Sequence, residues 1–371
     1  MSETLQIDPH SKLLKMSKIA QILFTVCLLA SPGNSALGSA CTPNSWITLA
    51  SLPTPRQEHS TVLLNESTIA AVGGTDPFIP TFASTDSMHL YDIPSDTWRI
   101  AAPIPFKVNH PNVAAVHGKV YVLGGLIDGP LSIGQMVNAI PTTQCSMYDA
   151  TSDKWTAIAS MPPGTERGSA LVGVHGEMVY LAGGMSILSE YQDSLTMVTA
   201  YNTTSNEWQR LPPAAANLPE GRQHAVSSVV GDMLYVVGGR WYSQMATRGT
   251  VFALDLTNLT AGWTTSPSSM PVARGGISGG TIDDAIYTFG GEGNPNSVTG
   301  VFPNTESYNV SAQTWTELAA MQVPRHGTSG VAFQGRIYIP GGGKQQDGKS
   351  YTHNGTTTYG MMTDHFDAYC I

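Results

Sequence analysis

Short runs of apolar and β-branched residues recur along the chain, and each run closes on a pair of glycines. Two such runs lie at residues 120–123 and 234–237. Apolar runs of this length, bounded by glycine, are typical of β-strands buried in a sheet. The pairs occur six times, at positions 73–74, 124–125, 183–184, 238–239, 290–291 and 341–342. A period near fifty residues predicts six copies of one structural unit.

Aromatic residues mark the same period. Between most of the glycine pairs stand a Tyr and a Trp seven positions apart: Tyr91/Trp98, Tyr148/Trp155, Tyr201/Trp208 and Tyr308/Trp315. One copy is looser and keeps only Trp263. Glycine pair, Tyr and Trp together resemble the Kelch signature over residues 41–371. The resemblance implies an all-β, six-bladed β-propeller, in which four-stranded sheets bury each other's faces and the aromatic side chains pack between blades.

The two ends of the chain complement each other. Trp46 precedes the first glycine pair, and residues 366–370 match residues 88–92 of the first copy. We therefore expect the N-terminal strand to complete the last blade and close the ring. That alignment puts Cys41 one or two residues beyond Cys370 on adjacent strands, which predicts a Cys41–Cys370 disulfide; two free thiols are the alternative.

The first forty residues have the composition of a targeting segment. Lys12, Lys15 and Lys18 precede an apolar run at residues 19–30, and small residues follow up to Ala40. This order predicts a secretory signal cleaved after Ala40, with Met16 as an alternative start and a buried helix as the competing interpretation. We expect residues 1–40 to be extension and signal, residues 41–371 to be one propeller domain, and the protein to be secreted or in the secretory lumen. Five glycosylation sequons agree with this compartment: Asn65, Asn202, Asn258, Asn309 and Asn354.

Charge restricts the partners. The chain of 371 residues has a net charge of −9 at pH 7. An acidic balance argues against nucleic acid as a partner, and the apolar run of twelve residues is too short to span a membrane. A small molecule is the expected partner, while the oligomeric state stays open.

Each copy has one cation sixteen or seventeen residues before its glycine pair: Arg56, Lys107, Arg167, Arg222, Arg274 and Arg325. In a propeller, the starts of the innermost strands share a face with the loops after the glycine pairs. We therefore predict that the six cations line one funnel and bind anionic oxygens. The alternative is that they brace loops through acids such as Glu58, Glu166 and Glu220.

Histidines and aromatic loops complete the predicted site. The expected catalytic residues are Arg222, His224, His59, His110, Arg325 and His326. The expected substrate-binding residues are Arg56, Lys107, Arg167, Arg274, Trp241, Tyr242, Phe78, Tyr191, Phe302 and Tyr351. Aromatic and methionine side chains over a polar funnel favour an oxygenated but largely apolar ligand.

Metal and cofactor motifs are missing from the sequence. It has no dinucleotide-binding glycine loop, no nucleophile elbow and no His-Glu-x2-His segment. The copper site of galactose oxidase and the iron motif of plant specifier proteins, both carried by Kelch-type propellers, do not match this chain. We expect no metal and no cofactor.

Within Kelch-type enzymes, the length, signal and sequons resemble the fungal hetero-Diels–Alderases of tropolone sesquiterpenoid biosynthesis. That resemblance implies a metal-free pericyclase. It would dehydrate a hydroxymethyl tropolone to a quinone methide and add a terpene alkene to it. Two alternatives stay open: a sugar-acid mutarotase that resembles the sialic acid mutarotases, and a non-catalytic extracellular Kelch module that binds a peptide or glycan.

Overall fold

The computed structural model describes residues 41–371, except 77–82, 134, 136, 354 and 359. Six antiparallel sheets of four strands follow one another along the chain and are arranged as a six-bladed β-propeller. The first strand of each sheet contacts the first strand of the next, so these strands surround the central channel. The predicted fold class is confirmed.

The blades have similar strand lengths. From the centre outwards the strands are Ser60–Asn65, Thr68–Val72, Met88–Asp92 and Thr97–Ile100 in blade 1; Val113–Val116, Lys119–Asp128, Ala139–Asp149 and Lys154–Ala157 in blade 2; and Leu171–His175, Met178–Ala182, Val198–Asn202 and Glu207–Gln209 in blade 3. They are Val226–Val230, Met233–Val237, Val251–Asp255 and Trp263–Thr265 in blade 4; Ser278–Ile282, Ala285–Phe289, Thr305–Asn309 and Thr314–Glu317 in blade 5; and Val331–Phe333, Arg336–Pro340, Phe366–Cys370 and Ser45–Thr48 in blade 6.

Three smaller elements lie outside the blades. Thr75–Asp76 pairs with Ala83–Ser84, Tyr351–His353 pairs with Thr356–Thr358, and a 3-10 turn covers Leu259–Ala261. Among the residues described here, no helix is long and apolar enough to cross a membrane.

The glycine pairs join one blade to the next. In blade 3 the N–H of Gly184 donates to the carbonyl of Arg222, which precedes blade 4, at 2.8 Å. Gly183 has a φ of +61°, and a Cβ there would fall against that same carbonyl oxygen. Only glycine combines a left-handed backbone with such a close approach. The period seen in the sequence therefore reflects the contact between blades.

The repeated aromatic residues also join blades. Tyr91 donates to Asp96 Oδ1 at 2.7 Å, and that oxygen also accepts the N–H of Ala50 at 2.9 Å. The indole of Trp98 donates to the carbonyl of Ala50 at 2.7 Å. Since Ala50 follows the outer strand of blade 6, these bonds link blade 1 to blade 6. Equivalent bonds join blades 2 and 3 to the preceding blades.

The ring closes through the N-terminal strand, as the sequence predicts. Ser45–Thr48 pairs antiparallel with Phe366–Cys370, and Trp46 lies opposite Tyr369. Cys41 and Cys370 form a disulfide with a Cα–Cα distance of 5.6 Å. The register differs from the expected one, because Ser45 lies opposite Cys370. A turn at residues 43–44 therefore brings Cys41 back to its partner.

Candidate functional site

One residue from each blade forms a closed ring around the propeller axis. We call these six residues the axial ring: Glu58, His110, Ser169, His224, Gly276 and Gly327. Each donates its backbone N–H to the preceding member. Five of these bonds reach a backbone carbonyl, at 2.6 to 3.1 Å, and the bond from His224 reaches Ser169 Oγ at 3.2 Å. The ring fixes where each side chain begins.

The axial ring has an unusual backbone conformation. All six residues have a positive φ, including 54° at Glu58, 48° at His110 and 53° at His224. Such a conformation costs a residue with a side chain about 1–2 kcal/mol relative to a right-handed one. Glycine, which avoids this cost, occupies two positions, and a Cβ on Gly327 would fall against the Glu58 carboxylate. Polar residues at the other four positions, three of them bulky, point to a role beyond folding.

Two cavities meet at the axial ring. The channel, of about 390 Å³, is lined by the innermost strands. The upper cavity, of about 630 Å³, lies among the loops that follow the glycine pairs. Glu58, His110 and His224 line both cavities, so they stand at the boundary between them. The predicted sharing of one face by strand starts and loops is confirmed.

The side chains of Glu58, His110 and His224 converge on one point. Glu58 Oε2 lies 2.9 Å from His110 Nε2 and 3.6 Å from His224 Nε2. The two imidazole Nε2 atoms are 3.1 Å apart. Burial would raise the pKa of Glu58, but the neighbouring histidines hold it well below its usual range. Burial and the charge of Arg240 lower the pKa of His224 to about 4.

Preceding amides hold both imidazoles in place. His110 Nδ1 lies 2.6 Å from Asn109 Oδ1, and His224 Nδ1 is hydrogen-bonded to Gln223 Oε1. Asn109 Nδ2 donates to Ser84 Oγ at 2.7 Å, and that hydroxyl in turn donates to Asp128. Gln223 Nε2 donates to the backbone carbonyl of Asp193 at 3.1 Å. Both amides therefore turn their oxygen toward the ring, so each Nδ1 carries a proton, and an imidazole in its neutral form presents a lone pair at Nε2.

A second polar cluster lies beside the first. Arg240 donates to Glu292, and Glu292 Oε1 is 3.4 Å from His326 Nδ1. Asp347 accepts from Gln57 Nε2, with 2.9 and 2.8 Å to its two oxygens. Arg240, Glu292 and Asp347 line the upper cavity.

The charged groups of this second cluster change one another's pKa values. Burial would lower the pKa of His326, but the carboxylate of Glu292 raises it to about 10. Burial opposes ionisation of Glu292, yet His326 and Arg240 bring its pKa down to about 2. Burial raises the pKa of Asp347 to about 7. The negative charges of Glu292 and Glu58 act in the same direction, and the charge of His326 opposes them. Asp347 therefore carries a proton for part of the time near neutral pH.

The prediction of a cationic funnel is wrong. The arginines expected to line it are at most 1% exposed and lie inside the blades: Arg56, Arg167, Arg222, Arg274 and Arg325. Arg167 donates to the carbonyls of Gly183 and Leu181 at 2.6 and 2.7 Å. Others pair with carboxylates: Arg222 with Glu220, Arg274 with Glu306 and Arg325 with Asp367. These partners hold the guanidinium groups inside the protein, so the bracing alternative describes the arginines better.

The prediction for Lys107 is wrong for a different reason. Its side chain is exposed, and the position equivalent to the arginines is held by Val108, whose carbonyl accepts the N–H of Gly74 at 2.9 Å. In blade 2 the cation therefore lies one residue before the position that the arginines occupy in the other blades. Arg240, which lies outside the repeated cation spacing, lines the upper cavity instead.

The predicted histidines separate into different environments. His110 and His224 line the upper cavity, as expected for site residues. His59 lines only the channel, where burial and the charge of Arg56 lower its pKa to about 3. His326 is fully buried against Glu292. Glu58, considered only as a brace, turns out to be central to the cluster.

Only some of the predicted aromatic residues line the upper cavity. Tyr191 and Tyr242 line the upper cavity and are 78% and 50% exposed. Trp241 packs against Arg248, whose guanidinium lies 4.9 Å above its ring. Phe302 is buried, so its predicted contact with substrate is wrong. Phe78, Asn354 and the side chain of Tyr351 lie outside the described residues.

Four glycosylation sequons and the unpaired Cys145 lie away from the upper cavity. Asn65, Asn202 and Asn309 are the last residues of their strands, and Asn258 directly precedes the 3-10 turn. Glycosylation of these four sequons stays a prediction. The free Cys145 is buried, and burial raises the pKa of its thiol to about 12, which makes it a poor nucleophile.

Comparisons with known proteins agree on the family. Residues 48–239 and 198–368 match the KLHDC2/KLHL20/DRC7 Kelch-repeats domain. The chain is 37% identical over 340 residues to Kelch-like protein terF of Aspergillus terreus (strain NIH 2624 / FGSC A1156), covering 88% of this chain and 71% of that protein. It is 27% identical to Beta-scruin of Limulus polyphemus and 26% identical to Kelch-like protein 36 of Rattus norvegicus. These alignments cover 74% and 77% of this chain but only 29% and 44% of those longer proteins.

A solved structure supports the same fold. The protein described as "Structure of YjhT" superposes with a TM-score of 0.62 at 16% identity, covering 85% of this chain and 95% of that chain. Repeat signature, six closed blades and matched family domain all agree. The chain belongs to the Kelch-repeat family of β-propellers.

Proposed function

We propose that the protein is a small-molecule enzyme that removes water from an oxygenated, largely apolar substrate in the upper cavity, with Asp347 as the proton donor. The observation that carries this proposal is the contrast between the cavity's rim and its floor. Its volume of about 630 Å³ is within the range of about 300–1,000 Å³ for drug-sized ligands. Leu131, Leu188, Tyr191 and Met245 line its apolar part, while titratable groups lie at its floor.

The charge of the cavity favours a neutral substrate. Arg240 is the one Lys or Arg among the described residues that line it, and Arg240 is already bonded to Glu292. Glu58, Asp128 and Asp347 also line it. A sugar carboxylate would meet these acids without a free cation, so the sugar-acid mutarotase alternative loses its support.

Asp347 is suited to donate a proton by its position. It lines the cavity and is held by Gln57, and its raised pKa of about 7 keeps the acid form populated at neutral pH. Asp347 protonates the leaving hydroxyl of the substrate, the C–O bond breaks and water departs. A proton lost from the substrate's own ring hydroxyl then restores Asp347, so the net change is loss of one water.

The narrow form of the proposal is the reaction of the fungal hetero-Diels–Alderases that the sequence resembles. Dehydration of a hydroxymethyl tropolone gives a quinone methide, and a terpene alkene adds across its diene, forming one C–C and one C–O bond. The apolar side chains of the rim hold the alkene against the diene, which lowers the barrier by orientation. Similarity to a protein of a fungus, Aspergillus terreus, supports this form. The disulfide supports the expected secretory location, since such bonds form in oxidising compartments.

The test compares two carboxylate variants. Wild type, Asp347→Asn and Glu190→Gln are incubated with a hydroxymethyl tropolone and a sesquiterpene alkene, and adduct formation is followed by liquid chromatography and mass spectrometry. Glu190 is the matched control, because it lines the same cavity but is exposed. Asp347→Asn should lower turnover by about 10²–10⁴-fold, as for loss of a general acid, and Glu190→Gln should stay near wild type.

Calorimetric binding of a tropolone that lacks the leaving hydroxyl separates binding from chemistry. Binding should be retained in Asp347→Asn. Full turnover in that variant would remove Asp347 from the mechanism. A wild-type protein that neither binds the analogue nor forms adduct would refute the proposed function.

A further inference from the structure

We infer that Glu58, His110 and His224 form a binding site for one divalent transition-metal ion where the channel meets the upper cavity. The sequence motifs predict no metal, and the proposed dehydration does not require one. The site is therefore independent of the proposed function. Its three ligands come from blades 1, 2 and 4.

The spacing of the three atoms matches a metal centre. Oε2 of Glu58 and the two Nε2 atoms form a triangle with sides of 2.9, 3.1 and 3.6 Å. An ion about 2.0–2.1 Å from each atom, the usual zinc distance, would lie about 0.8 Å out of their plane. Three protein ligands also leave at least one coordination position open, and the adjoining upper cavity gives it room.

The hydrogen bonds around the triangle favour a positive charge at its centre. Asn109 and Gln223 hold a proton on each Nδ1, so the Nε2 lone pairs of two neutral imidazoles would point at each other and at a carboxylate oxygen. Three acceptors within 3.6 Å repel one another unless a cation or proton lies between them.

The outer contacts have the arrangement found around metal ligands. A metal-bound histidine almost always donates its other ring N–H to an oxygen acceptor, which fixes the ring and strengthens the ligand. His110 does so to Asn109, which is itself held through Ser84 by Asp128. His224 does so to Gln223, itself held by the carbonyl of Asp193. Each histidine is thus supported through two further shells.

The backbone prepares the site in advance. Ligand side chains start from the axial ring, whose hydrogen bonds fix all six positions. Three of its members carry a bulky side chain on a left-handed backbone, a strained conformation that clusters at ligand sites. A metal ion bound by all three would give that strain a function.

A neighbouring set is less suitable. Glu58, His326 and Asp347 also bring potential ligand atoms within 4.8 Å of one another. However, His326 Nε2 faces the carbonyl of Gln345 at 2.8 Å and therefore donates its proton there. Its Nδ1 lies nearer to Glu292, at 3.4 Å, than to Glu58, at 4.0 Å. Neither ring nitrogen has a lone pair free for this set.

Two imidazoles and one carboxylate suit zinc, iron(II), manganese and cobalt, with no thiolate to select copper(I). Zn²⁺ measures the stoichiometry and Co²⁺ reports the geometry. Chelator-treated, dialysed protein is equilibrated with ZnCl2, and bound zinc is measured by inductively coupled plasma mass spectrometry. We expect one equivalent in wild type. Glu58→Gln and His110→Asn should weaken binding by at least about 100-fold, more than loss of a supporting residue.

Two controls locate the ion. His117→Asn removes a histidine of a surface His–Glu pair, 2.6 Å apart, and should leave the stoichiometry unchanged. Asp347→Asn should also retain zinc, because Asp347 belongs to the neighbouring set and also to the proposed catalytic step. Loss of turnover with retained zinc in this variant separates the two proposals.

Circular dichroism confirms that each variant folds. Wild-type protein should gain visible Co²⁺ absorption bands that His224→Asn lacks, and zinc should raise the Tm of wild type but not that of His224→Asn. Wild type without zinc binding would overturn the inference, since a shared proton would then satisfy the three acceptors. So would equal zinc binding in folded wild type and His110→Asn.

Discussion

Arg325 shows how a residue that is charged and periodic can serve the fold instead of the site. Its guanidinium is fully buried and bonds Asp367 Oδ1 at 2.5 Å and the carbonyl of Ile339 at 3.1 Å. Asp367 is buried as well, and although burial would raise its pKa, Arg325 lowers it. Taking one partner away leaves the other charge buried and uncompensated, which is far costlier than losing a surface charge.

At this scale we predict opposite outcomes for two members of the predicted cation set. Arg325→Ala should lower the free energy of unfolding by about 3–5 kcal/mol. Lys107→Ala, on the exposed side chain, should change it by less than about 0.5 kcal/mol. Urea unfolding at pH 7 measures both. Equal effects would contradict the assignment of Arg325 to the blade interior.

Acid should reduce the deficit of Arg325→Ala. A carboxyl group whose pKa is lowered in the folded state stabilises the protein at pH values above its unfolded-state pKa of about 3.9. This stabilisation is lost as the pH falls through the folded-state pKa. Wild type therefore loses the advantage of its Asp367 carboxylate in acid. The variant loses less, because its unpaired carboxyl protonates readily. A deficit that stays constant down to pH 3 would show that the ion pair is not its cause.

At the scale of the secondary-structure elements, the strands can be predicted from the local sequence pattern, whereas the candidate site cannot. Apolar runs, glycine pairs and repeated aromatic residues are read within one copy, so the blades and the ring closure could be predicted. The metal-ligating triangle joins residues 52 and 114 positions apart, and no spacing motif connects them. Arg222 and His224 both occupy positions that recur in every blade, yet the arginine side chain lies inside the blade and the histidine side chain lies near the propeller axis. The left-handed turn of the axial ring decides this, and the sequence pattern alone does not reveal it.

Glycine pairs permit a prediction about the contact between blades. Gly183→Ala would place a Cβ against the backbone carbonyl of Arg222 as well as straining a positive φ. Gly176→Ala is the matched control, because its φ is +56° but nothing lies within 4 Å of the added Cβ. Gly176→Ala should cost about 1–2 kcal/mol from backbone strain alone, and Gly183→Ala clearly more. Thermal and urea unfolding compare them; similar losses would mean that the close approach is not limiting.

For the whole molecule, the chain ends determine whether the ring stays closed. The outer strand of blade 6 comes from residues 45–48, while its other three strands come from residues 331–370. Opening the ring would expose the edge of Phe366–Cys370 and the packing of Trp46 against Phe289 and Tyr369. The disulfide lies at this joint and spans 329 residues of sequence.

Because the bridge closes nearly the whole folded chain, its removal should have a large effect on the unfolded state. The double variant Cys41→Ser with Cys370→Ser should lose about 5–6 kcal/mol in the loop-entropy account. Cys145→Ser is the control for loss of a thiol, since Cys145 is buried but unbridged. Urea unfolding with and without reductant measures the effect: reductant should destabilise wild type and leave the double variant unchanged. A double variant as stable as oxidised wild type would show that strand pairing and aromatic packing alone hold the ring closed.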